Sequence, residues 1–135
     1  PRSRDVARLL KADQVDLVIE PIELFASNDF PSAPLFADRW LCAVDTSNPH
    51  IRNNSITQEV FLQLPHLVYG IGDDRQLNLA DQHLTKIGVR RQIGVTVESF
   101  LLAPLLIRGT NLITLVLERA AKQLIQPKTV RMIDC

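Results

Sequence analysis

The 135-residue chain predicts an α/β fold built on a mainly parallel sheet. Three observations lead there. Short apolar runs of strand length alternate four times with apolar positions at helical spacing. Caps, glycines and prolines stand at most of the junctions. The composition, 46% hydrophobic and 22% charged, is that of a globular domain able to bury a moderate core and unlike that of a disordered segment.

The elements follow in order. Ser3 can cap a first helix on which Val6, Leu9 and Leu10 share a face. Asp16-Leu17-Val18-Ile19, stopped by Glu20-Pro21, has the form of a short buried strand. A loop rich in Ser, Asn, Asp and Pro spans residues 26–34. Leu35-Phe36 and residues 40–44 form the next extended stretch, ended by Asp45-Thr46-Ser47-Asn48-Pro49. Ser55 or Thr57 caps a helix through Leu64, closed by Pro65, and residues 66–71 form another strand that breaks at Gly70 and Gly72.

The second half repeats the pattern. Asp73 and Asp74 place caps and negative charge at a helix start, where the helix dipole favours them. Leu77, Ala80, Leu84 and Ile87 form one face of that helix, and Gly88 stands where a C′ glycine belongs. Ile93, Val95 and Val97 alternate with Gly94, Thr96 and Glu98 as a strand. A helix over residues 100–108 follows, with Pro104 tolerable only near its start. Residues 112–117 form a strand and 118–125 a helix, stopped by Gln126-Pro127.

Fifteen basic residues balance fifteen acidic ones, so no net field draws this segment to DNA or to an anionic membrane. No apolar run approaches the ~20 residues that span a bilayer. Of the two cysteines, Cys42 lies inside an apolar run and Cys135 is the last residue. They read as a buried structural thiol and a chain-end thiol rather than a disulfide framework, which fits a reducing cytoplasm. Pro1 in place of a methionine, and a strand starting near Val130, read as cut ends.

Chemical motifs are few. Gly70-Ile71-Gly72 lacks the third glycine of a phosphate loop and runs into acids. His50, His66 and His83 have no metal-ligand spacing, and no metal or cofactor is expected. Ser99 sits between strand and helix, but Val97-Glu98-Ser99-Phe100-Leu101 lacks the glycines of a nucleophile elbow, so helix capping is its better reading. Asp73, Asp74 and Glu98 read as caps or solvated acids before catalytic carboxylates. Tyr69 and Phe100 divide evenly between core aromatics and ligand contacts.

One rule locates a site. In open α/β sheets, ligands settle beyond the carboxyl ends of the parallel strands, where loop amides and helix N-termini point. Those ends comprise Pro21 and Ile22; Tyr69, Gly70 and Ile71; and Val97, Glu98, Ser99 and Phe100, with Leu117-Glu118 as a fourth strand end. Apolar walls, one phenol and carboxylates suit a small, mostly apolar ligand bearing a hydroxyl or two.

Several strings carry a family resemblance. Leu9-Leu10-Lys11-Ala12 and Val15-Asp16-Leu17-Val18-Ile19-Glu20-Pro21 resemble the helix-then-strand passage of LysR-type transcription regulators. Pro34-Leu35-Phe36-Ala37-Asp38-Arg39-Trp40-Leu41-Cys42-Ala43-Val44, followed by Asn48-Pro49-His50, is similar to that family's segment leading from its first subdomain into its second. Ile56-Thr57 to Leu64-Pro65-His66 resembles the helix and strand start that come next. Phe100-Leu101-Leu102-Ala103-Pro104-Leu105-Leu106-Ile107 and Gly109-Thr110-Asn111-Leu112-Ile113 resemble the branch of nodulation and aromatic-catabolism regulators.

The resemblance spans nearly the whole chain and implies a type II periplasmic-binding-protein-like fold of two lobes joined by two crossover strands. Residues 1–39 would be part of an incomplete lobe one, 40–128 lobe two, and 129–135 the crossover strand returning to lobe one. It further implies a cytoplasmic ligand-sensing module and not an enzyme, taking a small, aromatic or phenolic effector between the lobes. DNA contact would come through a winged helix-turn-helix not in this chain, in a homodimer or homotetramer with no membrane partner. Two other classes compete: a solute receptor of a transport system sharing the fold, and a small α/β enzyme, which should pair a strongly perturbed ionisable group with a second catalytic residue.

Overall fold

A computed structural model describes residues 6–24, 30–70, 79–125 and 128–135. The expected cap Ser3, the acids Asp73 and Asp74, Leu77, Ile71, Gly72 and the stop at Gln126-Pro127 lie outside the described residues. The chain divides into two compact units, Pro1–Leu35 and Phe36–Cys135.

In the first unit, helix α1 spans Val6–Lys11. Its end is a Schellman motif: the Gln14 amide reaches the Leu9 carbonyl at 3.0 Å and the Asp13 amide the Leu10 carbonyl at 3.2 Å. Asp13 takes the left-handed conformation (φ 51°) usually left to glycine. A single 3₁₀ turn covers Ile22–Leu24. The strand expected at residues 16–19 is absent; Leu17 is 73% and Ile19 65% exposed. A strand exists only by hydrogen bonding to a neighbour, and among the described residues this unit contains no other strand.

The second unit is built on a five-stranded sheet in the order β3-β2-β4-β1-β5. Strand β1 is Trp40–Asp45, β2 Pro65–Tyr69, β3 Gln92–Val97, β4 Ile113–Leu117 and β5 Val130–Ile133. β2 pairs in parallel with β3 and β4, whereas β1 runs antiparallel to both β4 and β5. Four strands therefore point one way and β1 alone is reversed, so the sheet is mixed with a parallel majority.

Helices cover both faces. Period-two alternation sends Leu41 and Ala43 of β1, Leu67 of β2, Val116 of β4 and Val130 of β5 to one face, where they pack with Ala103 and Ile107 and with Ala121 and Ile125. These come from α4 (Ala103–Leu106) and α5 (Glu118–Leu124) and the residues that end them. Cys42, Val44, Ile113, Leu115 and Ile133 go to the other face, against Phe61 and Leu64 of α2 (Gln58–Gln63) and its end and Ala80 of α3 (Leu79–Lys86).

Local signals account for several helix ends. Thr57 Oγ1 accepts the Val60 amide as the N-cap of α2, and Pro65 then opens β2. Gly88, at φ 75°, closes α3: the Val89 amide bonds the Leu84 carbonyl at 2.8 Å and the Gly88 amide the Thr85 carbonyl at 3.1 Å. Two expectations fail. Ile87 lies beyond the last turn of α3 and is exposed, not on its buried face. Ser99 does not cap α4, whose N-cap is Leu102 with no side-chain bond. Pro104 fits only the first turn, so it shifts the helix start past Ser99 and leaves the expected 100–108 helix four residues long.

Candidate functional site

Strand direction places the carboxyl ends of β2, β3, β4 and β5 along one edge of the sheet, together with the start of the reversed β1. The Gly70 amide, just past β2, donates to the Val97 carbonyl at the end of β3 (2.9 Å), tying two of the expected site residues together. A Cβ on Gly70 would stand 3.4 Å from the Thr96 methyl, in van der Waals contact with β3. The rings of Tyr69 and Phe100 meet edge to face, centroids 6.3 Å apart and planes at 90°.

Both aromatics are half-buried, and Phe100 also packs against the core cluster under α4 and α5. Each ring is thus only partly covered by protein. Val97 and Ser99 are half-buried beside them, and Glu98 is exposed. Pro21 and Ile22 belong to the first compact unit, where Ile22 is 80% exposed. Ile71 lies outside the described residues.

Sequence reasoning named Glu118 at this edge but missed its charged partners. Arg39, immediately before β1, donates from Nε to Glu118 Oε2 at 2.8 Å and from Nη1 to Asp134 Oδ1 at 2.9 Å. Lys122 Nζ approaches Glu118 Oε1 at 2.9 Å, one helical turn along α5. Bonds from Arg39, then from Lys122, hold the Glu118 carboxyl down at about 2. Asp38 accepts the Arg119 amide at 3.3 Å, and the Arg119 guanidinium lies 4.5 Å over the Phe36 ring. Beyond the one-turn spacing of Glu118 and Lys122, nothing local in the sequence announces this network, because it requires that β1 be flanked by β4 on one side and β5 on the other.

Among the described residues no group of three or more His, Cys, Asp or Glu is placed to hold a metal ion, and no helix is long and apolar enough to cross a membrane. The edge offers an aromatic pair and an ion network whose acid stays ionised. Such a set can bind a small planar molecule and orient a polar group on it.

Residues 2–135 match the family model described as the LysR substrate binding domain. Among curated proteins, the chain is 35% identical over 107 residues to a nodulation protein D of Azorhizobium caulinodans, covering 79% of this chain and 33% of that protein. It is 31% identical over 134 residues to nodulation protein D 1 of Bradyrhizobium diazoefficiens, covering 99% of this chain and 42% of that one. The chain thus spans well under half the length of these relatives. Among solved structures, the effector binding domain of a BenM variant superposes with a TM-score of 0.65 at 18% identity, over 98% of this chain and 61% of that one. HinK, a LysR family transcriptional regulator of Pseudomonas aeruginosa, gives 0.65 at 13% identity, over 97% and 45%. At such identities the likeness is one of fold, and that fold is the type II periplasmic-binding-protein-like one.

Proposed function

Because this chain belongs to the LysR substrate-binding domain family, we propose that it senses a small aromatic or phenolic effector for a transcription regulator. The observation that carries this reading is the family match over nearly all 135 residues. The edge-to-face pair of Tyr69 and Phe100 at the carboxyl end of the sheet supports the aromatic class, since such a pair extends readily to a third ring.

On this reading the effector sits against Tyr69, Gly70, Val97, Ser99 and Phe100, with Glu98 accepting from a ligand hydroxyl. Residues 1–39 belong to lobe one, 40–128 to lobe two, and 129–135 return toward lobe one. The antiparallel pairing of β1 with β5 is what two crossover strands running side by side require. Ligand between the lobes changes their closure, and it does so only to the extent that it binds the two arrangements with different affinity. A winged helix-turn-helix elsewhere in the protein then acts on DNA, in a cytoplasmic homodimer or homotetramer, without catalysis, cofactor or membrane.

The test is a transcriptional reporter driven by the whole regulator and challenged with a panel of phenols and aromatic acids. Induction by at least one member, lost or weakened in Glu98→Gln at equal protein level, is expected. A panel-wide failure, with induction instead by sugars or amino acids, overturns the aromatic class.

A further inference from the structure

We propose that Cys42 and Cys135 form a redox-active dithiol, which a hydroperoxide converts to a disulfide joining β1 to the end of β5. The inference uses the second compact unit alone and is independent of the effector reading. Its basis is the register of the two strands. Cys42 stands directly opposite Ile133, and both point into the same core face. Cys135 is two residues beyond Ile133, so the period of two returns its side chain to the face of Cys42, one diagonal step along the pair. Asp134, between them, bridges to Ser55 on the other side of β5.

The two thiols lie within hydrogen-bonding reach of each other. The Cys42 thiol donates to the Cys135 sulfur, and the Cys42 backbone amide donates to it as well. These bonds, the thiol's first, hold the Cys135 thiol below its ordinary range against its own partial burial and the nearby Asp134. Cys42 is pushed far the other way, by the same bond and by burial. The Arg91 guanidinium, its side chain only 2% exposed and bonded through Nε to Asp81 Oδ1 at 2.7 Å, lies within electrostatic reach of both sulfurs and favours a thiolate.

This asymmetry assigns roles. Cys135 is exposed and is the sulfur an oxidant can reach; Cys42 is fully buried and can react only with a partner already against it. The Cys135 thiolate attacks one peroxide oxygen, the O–O bond breaks, and hydroxide leaves to take up a proton, giving a sulfenic acid and water. Cys42 then attacks the sulfenyl sulfur; the S–O bond breaks, an S–S bond forms, and the Cys42 proton leaves with the hydroxide as a second water. Two thiols and one hydroperoxide thus become one disulfide and two waters, and a small-molecule thiol reverses the change.

The test is to treat the whole 135-residue chain with hydrogen peroxide at low protein concentration, then count thiols and map peptides by mass spectrometry. The expected result is loss of both thiols together, a mass lower by two hydrogens, one peptide pair linking Cys42 with Cys135, and full reversal by dithiothreitol. In Cys42→Ala, a sulfenic acid that a cyclic 1,3-diketone traps should accumulate on Cys135. Over-oxidation of Cys135 in the parent with Cys42 still reduced, or disulfides only between chains, overturns the proposal; because the parent decides this, a misfolded variant would not rescue it.

Discussion

Replacing His66 with glutamine should remove most of this protein's loss of stability between pH 7 and pH 5. His66 lies on β2 with no exposed surface, its ring edge-on to Phe61 at 4.5 Å. Nε2 is 2.7 Å from the Phe61 carbonyl, which can only accept, so the neutral ring carries its proton there. Nδ1 has no hydrogen-bond partner among the described residues. Protonating it would bury an unpaired charge, and the buried Arg91 nearby adds repulsion. Burial first, opposed by the Phe61 bond and helped by Arg91, pulls the pKa from 6.5 to about 4.

The sign follows from proton counting. Below pH ~6.5 the unfolded chain binds a proton that the folded chain refuses, so stability falls with pH until about pH 4, where the folded ring also titrates. A gap of about two and a half pH units at ~1.4 kcal/mol each sets a ceiling of about 3.5 kcal/mol, of which about 2 is lost between pH 7 and pH 5. With a urea dependence of about 2 kcal/mol per molar, the midpoint should drop by roughly 1 M. Glu118, held at about 2, and Asp45, also lowered, contribute losses only under more acid conditions. His66→Gln keeps an N–H donor for Phe61 and does not titrate. Urea unfolding of both proteins at pH 7 and pH 5, followed by circular dichroism, is the assay. An equal midpoint drop in parent and variant would refute the reasoning.

Three further outcomes are expected. Asp45 accepts the Gly109 amide at 2.7 Å and the Ser47 amide at 2.8 Å, clamping the turn after β1 to the loop before β4; Asp45→Ala should cost about 1–3 kcal/mol at pH 7. Because its pKa is lowered, that contribution is present above the ordinary carboxylate range and is lost as pH falls through the lowered folded value, so the deficit in an unfolding titration should shrink on acidification. Gly88→Ala meets open space yet must hold φ 75°, so thermal unfolding should register a loss of about 1–2 kcal/mol with no change in the folded spectrum. The apolar side chains of Leu17, Ile19 and Ile22 are exposed in the first unit, and sedimentation velocity should show concentration-dependent self-association that Ile19→Lys with Ile22→Lys abolishes.

What was legible in the sequence was what neighbouring residues decide. The Thr57 cap, the Pro65 stop and the Gly88 turn each act within a few residues, and each stands where expected. What depends on distant partners was not legible. Asp16-Leu17-Val18-Ile19 has a strand's composition but forms none, and no local feature distinguishes β1, the reversed strand, from the four strands that run the other way. At the site, Tyr69, Gly70, Val97 and Phe100 come together because strand ends in a parallel sheet must share an edge. Arg39 and Asp134 join that edge only through the β1–β5 pairing, as do the two cysteines, read from sequence as unrelated thiols. Ser99 was misread because the helix start is set by Pro104, five residues on.

Calorimetric titration of the whole regulator with the strongest inducer from the aromatic panel, compared with Tyr69→Ala and Phe100→Ala, tests the effector reading most directly. Each ring offers the ligand an edge or face contact of about 0.5–1.5 kcal/mol beyond area burial, so affinity should fall about tenfold or more once the lost apolar contact is included. Unfolding midpoints should move less than the ~3–5 kcal/mol expected for truncating a fully buried aromatic, because both rings are only half-buried. Unchanged affinity in both variants, together with a core-sized loss of stability, would contradict an effector site at this edge of the sheet.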